Sequence, residues 1–295
     1  MTYSNPDYLV STEWLAEHIN DANLRIVDVT AMLTSKLINR AEAEFFNKGH
    51  IPGAVFFDVP AGHGVLSDPD APLPWTWPSK QQFEATMESV GIANDSRVVI
   101  VARTPREGLD SGTMWCTRAW WTMHHFGVDC AILNGGVEKW EAEGRAMVTE
   151  RKAPAASQFT ASDDYARGCA DKSDVLASRG ETETCLVDAL SASSFNGDDD
   201  GYGPRRGHIA GAVNVPFRSL INGESADFLE PDAMRNAVAG MIDQPRVITY
   251  CGGAIAATVN AFALKLCGHE DVKVYDASLM EWSADETLPM ETGSG

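Results

Sequence analysis

Short and nearly continuous runs of hydrophobic residues recur along this chain, with helix-like segments between them. Strands of a parallel sheet are covered on both faces, so they read as unbroken apolar runs rather than as alternating ones. Regular alternation of such strands with helices is typical of α/β proteins. We therefore predict an α/β fold of mostly parallel sheets covered by helices on both faces, with strands at 24–29, 97–101, 130–133, 184–188, 246–250 and 272–275.

Helix signals are clear in two of the intervening segments. Ser79–Gln82 has the pattern of a capping box, and Gly91 supplies a stop about three turns later. The segment after Cys251 stops at Gly268 and carries hydrophobic residues at helical spacing. That stripe consists of Ile255, Val259, Phe262 and Leu266.

The chain also contains an internal repeat. A His-Ile-x-Gly-Ala segment occurs at 50–54 and again at 208–212, and apolar runs end in Asp28 and Asp188. A tryptophan, Trp140 or Trp282, closes each copy. Landmarks in one order at slowly drifting spacing indicate a duplication. We predict a domain at 1–147, a polar connector at 148–164 and a second domain at 165–295.

The two copies differ where one central strand ends. The first copy has Ala102 there and the second has Cys251. Ligands of parallel α/β sheets bind at the carboxyl ends of strands, and a loop of small residues can turn its amides inward around an anion. The following helix adds the positive end of its dipole, so we expect a thiol pKa below the free value of about 8.5. The predicted anion-binding loop is Gly252, Gly253, Ala254, Ile255 and Ala256. The alternative is a buried structural cysteine.

Composition narrows the range of functions. The formal net charge is −19, which opposes binding to nucleic acid or to anionic membranes. No apolar run approaches the roughly 18 residues of a membrane span. The six cysteines form no C-x-x-C pair and no zinc spacing, and no Walker or dinucleotide fingerprint occurs, so no metal or organic cofactor is expected. The first residues lack the basic and apolar regions of a secretory signal, which favours a cytoplasmic protein with reduced thiols.

Cys251 with its loop, both His-Ile-x-Gly-Ala segments and the stretch at 66–74 together resemble the two-domain rhodanese-like sulfurtransferases. That group includes thiosulfate and 3-mercaptopyruvate sulfurtransferases. The resemblance implies two rhodanese domains, a non-catalytic first domain and a persulfide formed on Cys251. It also implies a small anionic sulfur donor and a thiol or cyanide acceptor. The other hypothesis is a catalytically degenerate rhodanese that acts as a binding or redox-sensing module.

Donor binding is where this chain departs from the family pattern. The family places arginines between the Asp188 strand and the second His-Ile segment, but Leu190 and Ser194 stand where two are expected. Arg205 and Arg206 remain, and we predict that they bind the donor. Because the loop after Cys251 has no basic side chain and the chain is strongly acidic, the charge pattern favours 3-mercaptopyruvate over the dianion thiosulfate.

Two further alternatives concern single residues. His50 and its counterpart in the second copy occupy equivalent positions, one of them in a copy without the cysteine, which favours a structural role. His50 is also a candidate for a cleft between the domains. A cysteine phosphatase would need an arginine six positions after the cysteine, where this chain has Ala257.

Overall fold

The chain forms two compact units, and each unit combines segments that are not continuous in the sequence. The computed structural model describes residues 2–106, 111–179, 183–223 and 226–293. The N-terminal unit comprises Asp7–Ala166 and Glu224–Asp227. The C-terminal unit comprises Met1–Pro6, Arg167–Gly223 and Phe228–Gly295. The segment predicted as a connector lies within the N-terminal unit, where Val148 pairs with His50 and Phe159 is buried.

The N-terminal unit is built on a five-stranded sheet in the order β1-β5-β4-β2-β3, in which every pairing is parallel. The central strand, β4, is almost completely buried, as expected for a strand covered on both faces. The strands are β1 (Leu9–Val10), β2 (Leu24–Asp28), β3 (Ala54–Phe56), β4 (Arg97–Val101) and β5 (Asp129–Leu133).

Five α-helices among the described residues accompany this sheet. The predicted capping box at the start of α3 is present, with Ser79 and Gln82 each bonding to the other's backbone amide. The longest helix, α4, is buried over most of its length. The helices are α1 (Thr12–His18), α2 (Ala41–Glu44), α3 (Lys80–Ser89), α4 (Gly112–His125) and α5 (Gly136–Ala142).

The C-terminal unit repeats the same topology. Its five-stranded sheet has the order β6-β11-β10-β7-β9, again with parallel pairings, and a short antiparallel pair joins β12 to β8. The predicted α/β fold with two parallel sheets is confirmed. The strands are β6 (Cys169–Ala170), β7 (Thr184–Asp188), β8 (His208–Ile209), β9 (Val213–Asn214), β10 (Arg246–Tyr250), β11 (Val272–Tyr275) and β12 (Met290–Glu291).

The repeat extends to single side chains. Trp140 donates its indole N–H to the Ala146 carbonyl at 2.9 Å, and Trp282 does the same to Pro289 at 3.0 Å. Both tryptophans are buried, and each fastens the segment that follows its helix. Trp140 lies in α5 and Trp282 in α11, and each is the last helix of its copy. The helices of the C-terminal unit are α6 (Lys172–Ser178), α7 (Ala192–Asn196), α8 (Pro231–Ala237), α9 (Ala239–Ile242), α10 (Ala257–Leu266) and α11 (Ser278–Trp282).

Helix α10, which follows Cys251, is the most buried helix of the C-terminal unit. All ten of its residues are buried, whereas the sequence predicts only a hydrophobic stripe. Residues from the start of the chain cap its end, because the amides of Ser4 and Asn5 both donate to the Leu266 carbonyl. These bonds satisfy a carbonyl that has no partner within the helix. No helix among the described residues is long and apolar enough to cross a membrane.

Candidate active site

Cys251 lies at the carboxyl edge of the C-terminal sheet, immediately after the central strand β10. Its neighbour Tyr250 is in register with Asp188, the last residue of β7, so both strands end at the same level. Cys251 is 2% exposed. The predicted position at a strand end is therefore present, although the thiol is covered.

Backbone amides surround the sulfur of Cys251. Hydrogen bonds from the amides of Gly253, Ile255 and Ala257 each lower the pKa of the thiol. These groups belong to the loop and to the first turn of α10, and they stand where an anion on sulfur would form. Of the predicted loop residues, Gly253 and Ile255 contribute amides to this cradle, whereas the Ala254 amide donates to a side chain outside the loop.

One buried hydroxyl holds this loop in shape. Ser278 Oγ accepts the amide N–H of Cys251 at 3.2 Å and that of Ala254 at 3.1 Å. The same hydroxyl donates to the Tyr275 carbonyl at 2.8 Å. Ala254 and Ser278 both have left-handed backbone conformations, with φ of +59° and +49°. Two residues in a region that L-amino acids rarely occupy indicate a backbone fixed by its surroundings.

The ionisation of Cys251 differs from the sequence expectation. Burial is the largest influence and raises the pKa of the thiol, the nearby Asp188 raises it further, and the loop amides lower it without reversing the result. The expectation of a lowered thiol pKa is therefore wrong. The reason is that the packing which aims three amides at the sulfur also removes water from it.

Asp188 is the acidic neighbour of the thiol. Its Oδ1 accepts the Leu190 amide at 2.8 Å, and burial raises the pKa of its carboxyl to about 6. A carboxyl with that pKa is mostly ionised at pH 7. Asp188 therefore places a negative charge beside the position where the thiolate would form.

Arg205 has a different role from the predicted one. Its guanidinium donates to four backbone carbonyls between 2.6 and 2.9 Å, those of Trp282, Ser283, Asp285 and Leu288. These bonds use both terminal nitrogens and Nε, so Arg205 fastens its loop to the segment after α11. These contacts disfavour donor binding by Arg205, because the guanidinium N–H groups that would bind a carboxylate already donate to carbonyls.

Arg206 lies on the surface. It pairs with Asp200, and 55% of its side chain and 94% of its partner's are exposed. Exposed ion pairs contribute little to stability, so this contact leaves the side chain able to rearrange. Donor binding by Arg206 stays a prediction.

The two positions without arginine carry uncharged side chains. Leu190 is buried, and its carbonyl accepts a hydrogen bond from Asn214 at 2.9 Å. Ser194 donates to Asp199 Oδ2 at 3.0 Å. At these two positions the structure thus has a leucine and a serine that bonds to a carboxylate, where the family pattern has arginines.

Two residues close to the site, Tyr202 and Arg218, are not among those that the sequence predicts. The ring of Tyr202 rests on Gly252, where an added Cβ would overlap the ring carbons. Burial raises the pKa of the Tyr202 hydroxyl, the charge of Cys251 raises it further and that of Arg218 lowers it, which places both groups near the ring. Neither residue lies in a periodic element or a motif, and the only signal in the sequence is that position 252 is glycine.

The paired histidines have structural contacts. His50 is 1% exposed, its Nδ1 lies 2.9 Å from the Phe46 carbonyl, and its ring stacks on Phe46. His208 is equally buried and makes the same two contacts with Phe195. Equivalent packing in both copies supports the structural interpretation.

The matching strand end in the first copy has no thiol. Ala102 is buried, and its carbonyl accepts the Val137 amide at 3.1 Å. The next amide, that of Arg103, donates to Thr30 Oγ1 at 2.9 Å, whereas in the second copy the amides after the strand face sulfur. Among the described residues, no group of three His, Cys, Asp or Glu side chains is arranged to hold a metal ion.

Both halves of the chain match a known protein family, and proteins of similar sequence are known over nearly its whole length. A rhodanese-like domain model matches residues 11–143 and 171–285. The 3-mercaptopyruvate sulfurtransferase of Escherichia coli (strain K12) is 33% identical over 289 residues, covering 96% of this chain and 98% of that protein. The thiosulfate sulfurtransferase of Gallus gallus is 31% identical over 281 residues, covering 93% and 92%.

A solved structure gives the same result for the fold. The crystal structure of SseA from Escherichia coli, described as a 3-mercaptopyruvate sulfotransferase with the rhodanese fold, matches with a TM-score of 0.78 at 30% identity. The match covers 92% of this chain and 98% of that one. The two domain matches coincide with the two repeats and their equivalent sheets. The chain belongs to the rhodanese-like domain family, with one such domain in each half.

Proposed function

We propose that this protein is a rhodanese-type sulfurtransferase that carries sulfur as a persulfide on Cys251. The observation that supports this most is the thiol at the end of β10, which receives hydrogen bonds from the amides of Gly253, Ile255 and Ala257. Such a cradle stabilises the anionic sulfur that both half-reactions pass through. The relatives named as sulfurtransferases over nearly the whole chain support the same reaction class.

In the first half-reaction, the Cys251 thiol loses its proton to solvent and the thiolate attacks the outer sulfur of the donor. A new S–S bond forms between Cys251 and that sulfur. With 3-mercaptopyruvate, the C–S bond breaks and its electron pair leaves with the carbon, which takes up a proton to give pyruvate. With thiosulfate, the S–S bond breaks and sulfite leaves with the pair.

In the second half-reaction, an acceptor attacks the outer sulfur of the persulfide. A thiolate acceptor becomes a persulfide, and cyanide becomes thiocyanate. The pair of the broken S–S bond returns to Cys251, which is again a thiolate held by the loop amides. No cofactor enters this balance.

Intact-protein mass spectrometry tests the proposal. After incubation with either donor and removal of excess reagent, the protein gains the mass of one sulfur atom, and the gain disappears with dithiothreitol. Cys251→Ser shows no gain and keeps its circular dichroism spectrum, because the change is nearly isosteric. Cys169→Ser, at a partly exposed cysteine of the same unit, gains sulfur as the wild type does. Equal sulfur gain by Cys251→Ser would place the reaction elsewhere.

A second candidate function is a degenerate rhodanese that binds a partner or senses oxidants. The observation in its favour is the burial that raises the pKa of Cys251. A module of this kind would gain no sulfur from either donor in the same experiment. Such a result would favour it over the enzyme.

A further inference from the structure

Tyr202 forms the outer layer over the loop that carries the nucleophile. On its inner side the ring contacts Gly252, where a Cβ would overlap Cγ, Cδ1 and Cε1 of the tyrosine. Tyr202 itself is 41% exposed, whereas Cys251, one residue from that contact, is 2% exposed. The ring therefore stands between solvent and the start of the Cys251 loop.

The backbone that follows Tyr202 is fixed by close contacts, so the position of the ring is not that of a loose loop. Gly203 approaches Ser283 so closely that a Cβ would overlap its hydroxyl, and Gly207 approaches the Glu291 carbonyl in the same way. Arg205 adds its bonds to four carbonyls. A side chain held at this place by three anchors is a defined part of the site.

The hydroxyl of Tyr202 is a neutral hydrogen-bond donor. Burial and the negative charges of Cys251, Asp199 and Asp188 raise the pKa of this hydroxyl to about 12, while Arg218 lowers it. It is therefore protonated across the physiological range. Within the described part of the chain it makes no hydrogen bond. An unused O–H beside a nucleophile is available to an oxygen of a bound molecule.

We propose that Tyr202 is the specificity-determining residue of the Cys251 site. Its ring covers the loop of Cys251, so a molecule reaches the thiol only when it displaces the ring. Its hydroxyl donates a hydrogen bond to a carboxylate or carbonyl oxygen of the sulfur donor. Asp188 and Asp199 nearby disfavour a dense negative charge, whereas Arg218 nearby can balance a single one, so the donor class is a small thiol-bearing acid with one carboxylate. The hydroxyl's role rests on the proposed function, whereas the ring's role does not.

Two variants separate the ring from the hydroxyl. Alkylation of Cys251 by iodoacetamide, followed by peptide mass spectrometry, measures how strongly the Tyr202 ring protects the thiol. We expect Tyr202→Ala to react at least about tenfold faster than wild type and Tyr202→Phe to react at the wild-type rate, because only the first removes the ring. A wild-type rate in Tyr202→Ala would overturn the proposal. Tyr165→Phe, in the N-terminal unit, is the control and reacts as wild type.

Steady-state kinetics tests whether the Tyr202 hydroxyl binds the donor. Tyr202→Phe should lower kcat/KM for 3-mercaptopyruvate at least about fivefold, as loss of a hydrogen bond to a charged group requires. Unchanged kcat/KM would overturn the role of the hydroxyl in donor binding. If the wild type gains no sulfur from any donor, the proposed function fails, yet the alkylation comparison still decides whether Tyr202 covers Cys251.

A compensating pair provides a third readout. Gly252→Ala introduces a Cβ that collides with the Tyr202 ring, so we expect the ring to be displaced and Cys251 to be alkylated faster. In a Tyr202→Ala background the three atoms nearest to that Cβ are absent, so adding Gly252→Ala changes the alkylation rate by less than about twofold. If Gly252→Ala alone reacts at the wild-type rate, the contact that carries the proposal is absent in solution.

Discussion

At the scale of the residue, Cys251 is subject to two opposing influences. Three amides already point at the sulfur before any charge exists, so stabilising an anion needs no rearrangement of the loop. The same close packing excludes water, and this cost exceeds the gain from the amides in the resting thiol. Cys251 is thus arranged to hold a charged sulfur but is mostly protonated at neutral pH.

This balance predicts a specific pH dependence. Since burial raises the thiol pKa, the thiolate fraction at neutral pH is small and increases about tenfold for each pH unit below the pKa. The rate constant for iodoacetamide alkylation of Cys251 should therefore keep rising beyond about pH 8.5, the value of a free thiol. A plateau at or below that pH would show that the amides outweigh burial in solution.

At the scale of the element, the loop between β10 and α10 depends on contacts from outside itself. Ser278, at the start of α11, accepts two of its amides, and Tyr202 covers its glycine. Arg205 in turn fastens the Tyr202 segment to the chain after α11. The site is therefore a product of three segments, each held by a neighbour.

Removing the Ser278 hydroxyl should loosen the loop. Ser278→Ala leaves two buried amides without an acceptor, and each such group costs about 1–3 kcal/mol. We expect a loss of at least about 2 kcal/mol in the free energy of unfolding, measured with urea, together with slower sulfur loading. The control is Ser219→Ala, at an exposed hydroxyl that bonds only locally to Pro216. A Ser278→Ala protein as stable as this control would contradict the assignment.

The two adjacent arginines should behave differently. Arg205→Ala leaves four carbonyls without their charged donor, so the free energy of unfolding should fall by at least about 2 kcal/mol. Arg206→Ala removes only an exposed pair and should stay within about 0.5 kcal/mol of wild type.

Kinetics of the same two variants tests donor binding. A decrease of at least about tenfold in kcat/KM for Arg206→Ala, at unchanged stability, would support Arg206 as a donor-binding residue. If Arg205→Ala were as stable as wild type, the anchor role of Arg205 would be wrong.

At the scale of the whole molecule, duplication and charge set the context of the site. The two units share one sheet topology, but only the second places sulfur at the end of its central strand. The whole chain carries a formal charge of −19, and Asp188 adds a local negative charge. Approach of an anion is therefore unfavourable, and more so for a dianion.

This charge pattern predicts the donor. The value of kcat/KM should be higher with 3-mercaptopyruvate than with thiosulfate when both are measured with one thiol acceptor at fixed ionic strength. Raising the salt concentration should narrow the difference, because screening weakens the repulsion of thiosulfate more than that of a monoanion. A preference for thiosulfate would reject the charge argument and leave the sulfurtransferase proposal in place.

Local patterns in the sequence were sufficient for the fold and for the choice of Cys251 as the candidate nucleophile. The central strands lie where unbroken apolar runs predict them, because burial on both faces of a sheet leaves a signature within five residues. The capping box at Ser79 is also local. Cys251 stands out because the repeat supplies its own comparison, in which Ala102 occupies the equivalent strand end.

Only the tertiary structure decided how the site works. The partners of Arg205 lie 77 to 83 residues further along the chain, and Gly252 lies 50 residues beyond Tyr202 (252 − 202), so no periodicity records either contact. The direction of the Cys251 pKa shift depends on how much water the surrounding side chains exclude, which is a sum over the whole unit. Secondary structure is encoded by neighbours in the chain, whereas burial and the pairing of polar groups are properties of neighbours in space.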